Sequence, residues 1–198
     1  TFTAPAVAVN ALNRLEHSDE LYYTIFEPSS TIGWAGNLKR YRLGSDGQVY
    51  DMNGNNAVDS STGYFSDNAR SYWTLDAAAP DGDSVGTGGA ASRLTASRTI
   101  YTHLSTSAGT LSTTLITKSG STYAANTGIT QSLFGSSLDS DDFLSMLEWA
   151  SGLDVNSDTS DTPRYEIEDP LHSRPVIIHY GVLDDGESLD STIYFGTN

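Results

Sequence analysis

Oxygen-bearing side chains recur at alternate positions of one short segment, residues 51–59, which reads DMNGNNAVD. Carboxylate, carboxamide and backbone carbonyl oxygens are the ligands that Ca²⁺ prefers, and a tight loop can aim alternate residues at one ion. Gly54 and Asn56 tolerate the positive φ that such a curled loop needs. The spacing therefore predicts a calcium site. Its ligands are Asp51, Asn53, Asn55, the backbone carbonyl of Ala57, and Asp59.

The charge of this ligand set indicates the affinity to expect. Only the two aspartates among the four side chains are charged, which is typical of the weak, millimolar sites of extracellular modules. An ordinary turn is the alternative, because Asp, Asn and Gly also cluster in turns that bind no metal. Residues 154–158 begin a similar pattern, but Thr162 stands at its ninth position, so an acidic linker is favoured there.

Residue patterns for catalysis are weak. Asp169, His172 and Ser173 are too close along the chain to converge as a catalytic triad, and Ser173 does not stand in a Gly-x-Ser-x-Gly nucleophile elbow. The glycines of residues 86–89 lack the downstream lysine of a phosphate-binding loop. Many carboxylates are available for hydrolysis, but nothing selects a pair. The sequence therefore predicts a protein that is not an enzyme.

Aromatic side chains offer a different hypothesis, a carbohydrate-binding module. Most of them are expected in the core, with one or two facing solvent for recognition. The candidates are Tyr22, Tyr23, Trp34, Tyr64, Phe65, Tyr72 and Trp73.

Composition limits the partners. The 198 residues include 25 acidic and 10 basic side chains, for a formal charge of −15. Such a charge repels nucleic acids and anionic membrane surfaces and attracts cations. Cysteine is absent, and no apolar stretch approaches the ~20 residues that span a bilayer. We therefore expect no nucleic-acid partner and no membrane insertion.

The elements around the loop are expected to be mainly β, because Tyr, Thr, Ser and Gly favour short strands joined by turns. Residues 6–12 and 21–26 suit one hairpin, and residues 37–43 and 48–50 suit a second around the turn 44–47. The predicted organisation is a single domain or a domain fragment. It comprises a blade-like unit (6–59), a long loop insertion (60–97), strands (98–116), a short helix (139–151) and strands (174–196), of which 176–178 is predicted to be buried.

Several phrases together resemble the C-terminal domain of the type IV pilus tip-associated adhesins, the PilC/PilY family. Their order and approximate spacing also fit, and they extend over nearly the whole chain outside the insertions. The phrases are residues 10–15 (NALNRL), 21–28 (LYYTIFEP), 34–43 (WAGNLKRYRL), 68–73 (NARSYW), 88–91 (GGAA), 98–102 (RTIYT) and 169–176 (DPLHSRPV).

The resemblance implies a modified β-propeller, of which this chain would hold one or two blades with long loop insertions. It also implies an extracellular protein at the pilus tip or outer bacterial surface, acting in pilus biogenesis, retraction control and adhesion. Its expected partners are pilus tip subunits (minor pilins), the remaining propeller blades, and a host or abiotic surface. Family members are associated with calcium in a short propeller loop, which supports Ca²⁺ at residues 51–59.

Two expectations accompany this resemblance. A quinoprotein-like propeller oxidoreductase is the alternative from another class, because such enzymes also combine a propeller with calcium. The last predicted strand, within residues 191–196, is short of partners, so we expect the remaining sheet to lie on a further segment or another chain.

Overall fold

The computed structural model describes residues 2–7, 19–30, 33–75, 79–95, 98, 100–107, 110–116, 129–135, 137–155, 163–164, 167–170, 173, 175–182 and 189–197. The strands are β1 (Phe2–Val7), β2 (Glu20–Glu27), β3 (Ala35–Leu43), β4 (Val49–Tyr50), β5 (Ile100–Ser107), β6 (Thr110–Ile116), β7 (Ile167–Glu168), β8 (Val176–Val182) and β9 (Leu189–Tyr194). The α-helix is α1 (Ser140–Ala150), and short 3-10 helices span Ala90–Arg93 and Gln131–Leu133. The predicted mainly β class with one short α-helix is thereby confirmed for the described residues.

The chain forms two compact units, Thr1–Arg93 with Glu166–Asn198, and Leu94–Tyr165. In the part of the chain that the structure describes, the sheets are antiparallel and open, with no closed barrel. No helix among the described residues is both long and apolar enough to cross a bilayer.

The main sheet of the first unit has the strand order β1-β2-β3-β4, and β7 pairs with β3 as well. The hairpin predicted around residues 44–47 is confirmed, with Arg42 opposite Tyr50 and Leu43 opposite Val49. β2 contains the predicted strand 21–26 and pairs with β1. Residues 8–12 of the other predicted strand lie outside the described residues. The result is a short antiparallel meander that ends immediately before residue 51.

The two faces of β3 pack against different layers, because successive side chains of a strand point to opposite faces. On one face Leu38 packs with Tyr22, and the residues that pack around this pair include Trp73, Ile177 and Ile193. The other face contacts the coil that follows β4. There Tyr41 packs with Ala57, Ala69 and Phe65, all drawn from that coil. The coil between residues 51 and 93 therefore forms a packed layer on this face of β3, while Trp73 of the same coil packs on the opposite face.

The hairpin of β8 and β9 corrects one prediction. Residues 176–178 do form a strand, but the strand is not buried, since Val176 is 56% and Ile178 41% exposed. Ile177 is the residue of this run that packs on the Tyr22 and Leu38 cluster. Strand alternation places Val176 and Ile178 on the opposite face of a hairpin that is covered on one side only.

The second unit contains α1 and the β5–β6 hairpin, which lies within the predicted strand region 98–116. The Asp139 carboxylate caps α1 by accepting hydrogen bonds from the N–H groups of Asp141 and Asp142. Gly152 follows the helix with φ = +99°, a conformation that glycine adopts readily. Leu147 packs against Ile129 beneath the helix.

Candidate calcium loop and the adjoining groove

Asp51 stands directly after β4 and is 1% exposed. Its Oδ1 accepts hydrogen bonds from the N–H groups of Asn53 and Asn55, each at 2.9 Å, and its Oδ2 accepts one from the Arg70 N–H at 3.3 Å. Gly54 has φ = +79°, which confirms the positive φ predicted for it. Asp51 thus closes residues 51–55 as a turn and attaches that turn to the neighbouring coil.

Ala57 and Asp59 occupy contrasting environments further along the loop. Ala57 is fully buried, and its carbonyl oxygen accepts the Ser66 N–H at 2.9 Å. Asp59 is exposed, and its Oδ1 accepts the hydroxyl and N–H of Ser61 and the N–H of Thr62. The Ser61 hydroxyl, followed by these two N–H groups, holds the pKa of Asp59 below its usual value. Asp59 is therefore ionised at neutral pH.

The structure places the predicted ligands in two successive turns rather than in one. Asp51 organises residues 51–55, whereas Asp59 organises a separate turn that reaches Tyr64, whose carbonyl accepts the Asp59 N–H. The side chains of Asn53 and Asn55 are exposed between them. Every predicted ligand is an oxygen donor, and oxygen donors suit a hard cation such as Ca²⁺.

Acceptor positions that the hydrogen bonds described above leave unused on Asp51, Ala57 and Asp59 also suit a hard cation. A carboxylate offers about four acceptor positions, and the contacts above use three of those of Asp51. The Ala57 carbonyl accepts one bond, and the bonds to Asp59 converge on Oδ1. Among the described residues no three His, Cys, Asp or Glu side chains cluster as a metal site. A calcium ion held by residues 51–59 would therefore need their amide and carbonyl oxygens as well as the two carboxylates.

A buried ion pair holds the coil layer against β3, and no sequence pattern predicted it. Lys39 and Asp81 are each almost fully buried, with Lys39 Nζ 3.0 Å from Asp81 Oδ2. The ammonium group also donates to the carbonyls of Asp81 (2.7 Å) and Gly82 (2.9 Å). Burial lowers the pKa of Lys39, and the Asp81 carboxylate opposes that effect. Ser71 donates its N–H and its hydroxyl to the Asp81 carboxylate, each at 2.8 Å.

Asn37 makes a second attachment on the same face of β3. Its Nδ2 donates to the carbonyls of Val85 (2.9 Å) and Gly88 (3.0 Å), and its Oδ1 accepts the Ala91 N–H at 3.1 Å. Gly89 has φ = +60°, and a Cβ there would lie 2.7 Å from Asn37 Oδ1. A side chain at this position would therefore push the coil away from β3.

These contacts join the loop of residues 51–59 to the sheet through a continuous path. The Met52 N–H donates to the Arg70 carbonyl at 2.9 Å, and Ser71, the next residue, binds Asp81. Asp81 then pairs with Lys39 of β3. The turn 51–55 is thus connected to the central strand through three interactions, namely two hydrogen-bonded contacts and the ion pair.

A groove opens beside the turn 51–55, with a volume of about 540 Å³. Asp19 and Arg42, which form an ion pair, lie along it, together with Tyr50 and Tyr72. Tyr72 is one of the aromatic candidates predicted from the sequence, whereas no sequence pattern indicated the other three. Cross-strand register is the signal that could have found the pair, because Arg42 lies opposite Glu20, the neighbour of Asp19.

Most of the other residues singled out from the sequence are buried, are partly buried or lie outside the described residues. Six of the seven aromatic candidates are buried or partly buried, and Tyr64 is 76% exposed. His172 of the triad hypothesis and residues 156–158 of the second acidic segment lie outside the described residues. Asp169 is buried, and the Ser173 hydroxyl accepts the Gly196 N–H at 2.7 Å.

Four of the phrases that carry the adhesin resemblance meet in the first unit. Strand β3 within phrase 34–43 contacts phrase 88–91 through Asn37, and phrase 68–73 through Tyr41 and Ala69. A Cβ on Gly36 would lie 2.5 Å from the Glu168 carbonyl and 2.9 Å from Pro170 of phrase 169–176. Comparisons of the chain with protein-family models, with curated proteins and with solved structures find no match.

Proposed function

We propose that this chain is a calcium-binding, surface-exposed module of a type IV pilus tip adhesin, acting in pilus biogenesis, retraction control and adhesion. The proposal joins the resemblance described above to the loop after β4. The observation that carries it is the Asp51 carboxylate, which is buried, aligned by three backbone N–H groups and followed by exposed amide and carboxylate oxygens. The propeller architecture is part of the proposal, supported by the antiparallel meander β1-β2-β3-β4.

Calcium would act here as a cross-link between two turns. Asp51 belongs to the inner turn and Asp59 to the outer one, so an ion bound by both restrains the segment that joins them. A ligand that binds one conformation stabilises that conformation by mass action. The formal charge of −15 favours the uptake of cations. The path from Met52 through Ser71 and Asp81 then connects the loop to β3.

Calorimetric titration with Ca²⁺ tests this proposal. Asn53→Ala and Asp59→Ala are the informative variants, because both side chains are exposed and their loss leaves the buried Asp51 turn intact. Asp67→Ala is the matched control, an exposed aspartate outside the loop. We expect one ion per chain, a Kd of roughly 10⁻⁴–10⁻³ M, at least about tenfold weaker binding in both loop variants, and no change in the control.

Equal binding by the wild-type protein and Asp59→Ala would contradict the proposed ligand set. A loss of binding in Asp67→Ala as large as in the loop variants would indicate diffuse attraction to an acidic surface instead of a site. Titration with Mg²⁺ adds a test of selectivity, since Mg²⁺ demands a smaller octahedral shell and sheds its water reluctantly. We expect Mg²⁺ to compete weakly.

A further inference from the structure

The groove beside the calcium loop has the dimensions of a small-ligand site. Its volume of about 540 Å³ falls within the ~300–1,000 Å³ of typical ligand pockets. The residues that line the groove come from three segments. Tyr50 and Asp51 lie at the end of the β3–β4 hairpin, Gly54 belongs to the following turn, and Tyr72 comes from the coil layer. The walls therefore derive from segments that the packing of β3 and the Asp51 turn holds in place.

Two tyrosine rings are fixed at this groove without any ligand. The Tyr50 ring lies against Gly44, where a Cβ would overlap the ring, and its hydroxyl donates to Asp46 Oδ2 at 2.7 Å. The Tyr72 ring lies 5.0 Å from the Arg40 guanidinium. Both rings are partly buried. Rings that are already positioned lose little conformational entropy on binding, and their apolar faces suit the C–H faces of a sugar ring.

A polar pair at the same groove complements the rings. Arg42 and Asp19 form an ion pair with side-chain exposures of 61% and 46%. Their guanidinium and carboxylate groups offer hydrogen-bond donors and acceptors side by side. Two neighbouring hydroxyls of a sugar can accept from the guanidinium and donate to the carboxylate. Exposed ion pairs are weak, so a ligand can share these groups with little loss.

The charge of the chain selects among ligand classes. At a formal charge of −15, phosphates, nucleotides and acidic sugars are repelled at long range. Uncharged polyhydroxylated rings incur no such repulsion. We propose that the groove lined by Asp19, Arg42, Tyr50 and Tyr72 binds a neutral pyranose, such as the terminal hexose of a glycan. This site goes beyond the proposed calcium function and does not depend on an ion in the loop.

The test is a ¹H–¹⁵N NMR titration in calcium-free buffer with three probes, the methyl pyranosides of glucose, galactose and mannose. We expect at least one of them to shift the amide signals of residues 42–45, 50 and 72 saturably. Tyr50→Ala is expected to weaken that binding at least about tenfold. Arg42→Gln, at a mainly exposed position, is expected to do the same without affecting the fold. Tyr64→Ala is the control, since Tyr64 is an exposed tyrosine outside the groove, and it should bind like the wild-type protein.

Three results would overturn the assignment. The first is that none of the three sugars causes saturable shifts at the groove. The second is that Arg42→Gln, with a wild-type spectrum elsewhere, binds the sugar unchanged. The third is that the methyl glycoside of N-acetylneuraminic acid binds while the neutral sugars do not, which would place an anionic ligand in the groove. Loss of calcium binding in the Asp59→Ala variant would leave all three results unaffected, so the two proposals fail separately.

Discussion

Removal of either partner of the Lys39–Asp81 pair is expected to destabilise the first unit severely. Asp81→Asn leaves a buried ammonium group facing two backbone carbonyls without its paired carboxylate. Lys39→Met leaves a buried carboxylate that keeps only its bonds from Ser71. Loss of one partner from a buried ion pair typically reduces the free energy of unfolding by about 3–5 kcal/mol. That is a large fraction of the ~5–15 kcal/mol that stabilises most domains.

The double variant Lys39→Met with Asp81→Asn separates the pair interaction from the packing. Both charges are then absent, so neither group is buried without compensation. If each single variant lowers the free energy of unfolding by about 4 kcal/mol, additivity predicts a loss of about 8 kcal/mol in the double variant. We expect the loss of free energy of unfolding in the double variant to be smaller than that sum by about 2 kcal/mol or more. A difference of this size is within the range of coupling energies for groups in direct contact.

Urea unfolding monitored by tryptophan fluorescence measures these differences, provided that the signal comes from the first unit. Trp34 and Trp73 belong to that unit, whereas Trp149 belongs to the second. A Trp149→Phe background removes the signal of the second unit. Single-variant losses below about 1 kcal/mol, or strictly additive losses, would refute the view that this pair holds the coil layer on β3.

Three smaller changes test other parts of the structure. Gly36→Ala should lower the free energy of unfolding by about 1–3 kcal/mol through overpacking, because its Cβ would lie 2.5 Å from a carbonyl of β7. Gly86→Ala is the control, since that site has open space, and it should leave the free energy of unfolding nearly unchanged in the same assay. Ser61→Ala removes the largest cause of the lowered pKa of Asp59, so a carboxyl NMR titration should show that pKa rising toward its ordinary value of about 3.9. In the wild-type protein the Asp59 contribution to stability is complete above the unfolded-state pKa and is lost as the pH falls through the lower folded-state pKa. The variant should lose part of that dependence, because the N–H groups of Ser61 and Thr62 still bind the carboxylate. Asp139→Ala removes the N-cap of α1 and should lower the free energy of unfolding by about 0.5–2 kcal/mol. An unchanged thermal transition of the helix, followed by circular dichroism, would count against the capping role of Asp139.

Local sequence signals predicted the elements that local physics determines. The turn 44–47 separates two strands of matching register. The Asp139 side chain that caps α1 accepts hydrogen bonds from N–H groups only two and three residues further along the chain. These features depend on turn and capping preferences that short segments carry. The positive φ of Gly54 belongs to the same group.

Contacts between distant segments could not be predicted in the same way. Lys39 and Asp81 are 42 positions apart, and nothing in either neighbourhood indicates that the other will cover it. The apolar run 176–178 indicates a strand, but whether a second layer covers both of its faces depends on tertiary packing. The groove likewise exists because β3, the Asp51 turn and the coil at Tyr72 converge.

The Asp51 carboxylate shows how a site prediction and a structural role can share one residue. Spacing alone assigned it to a metal, while the structure shows it closing a turn through the N–H groups of Asn53 and Asn55. Aspartate favours such turns with or without a metal. The distinction therefore lies in the exposed oxygens that follow, above all the Asp59 carboxylate.

A Ca²⁺ titration followed by ¹H–¹⁵N NMR tests the central claim most directly, because it reports where the ion binds as well as whether it binds. The calcium proposal predicts saturable shifts of the amide signals of residues 51–59, with smaller shifts at Arg70 and Ser71, which are hydrogen-bonded along the path to β3. Small shifts that grow linearly and are spread over acidic residues throughout the chain would contradict it. So would a saturable site that leaves residues 51–59 unchanged.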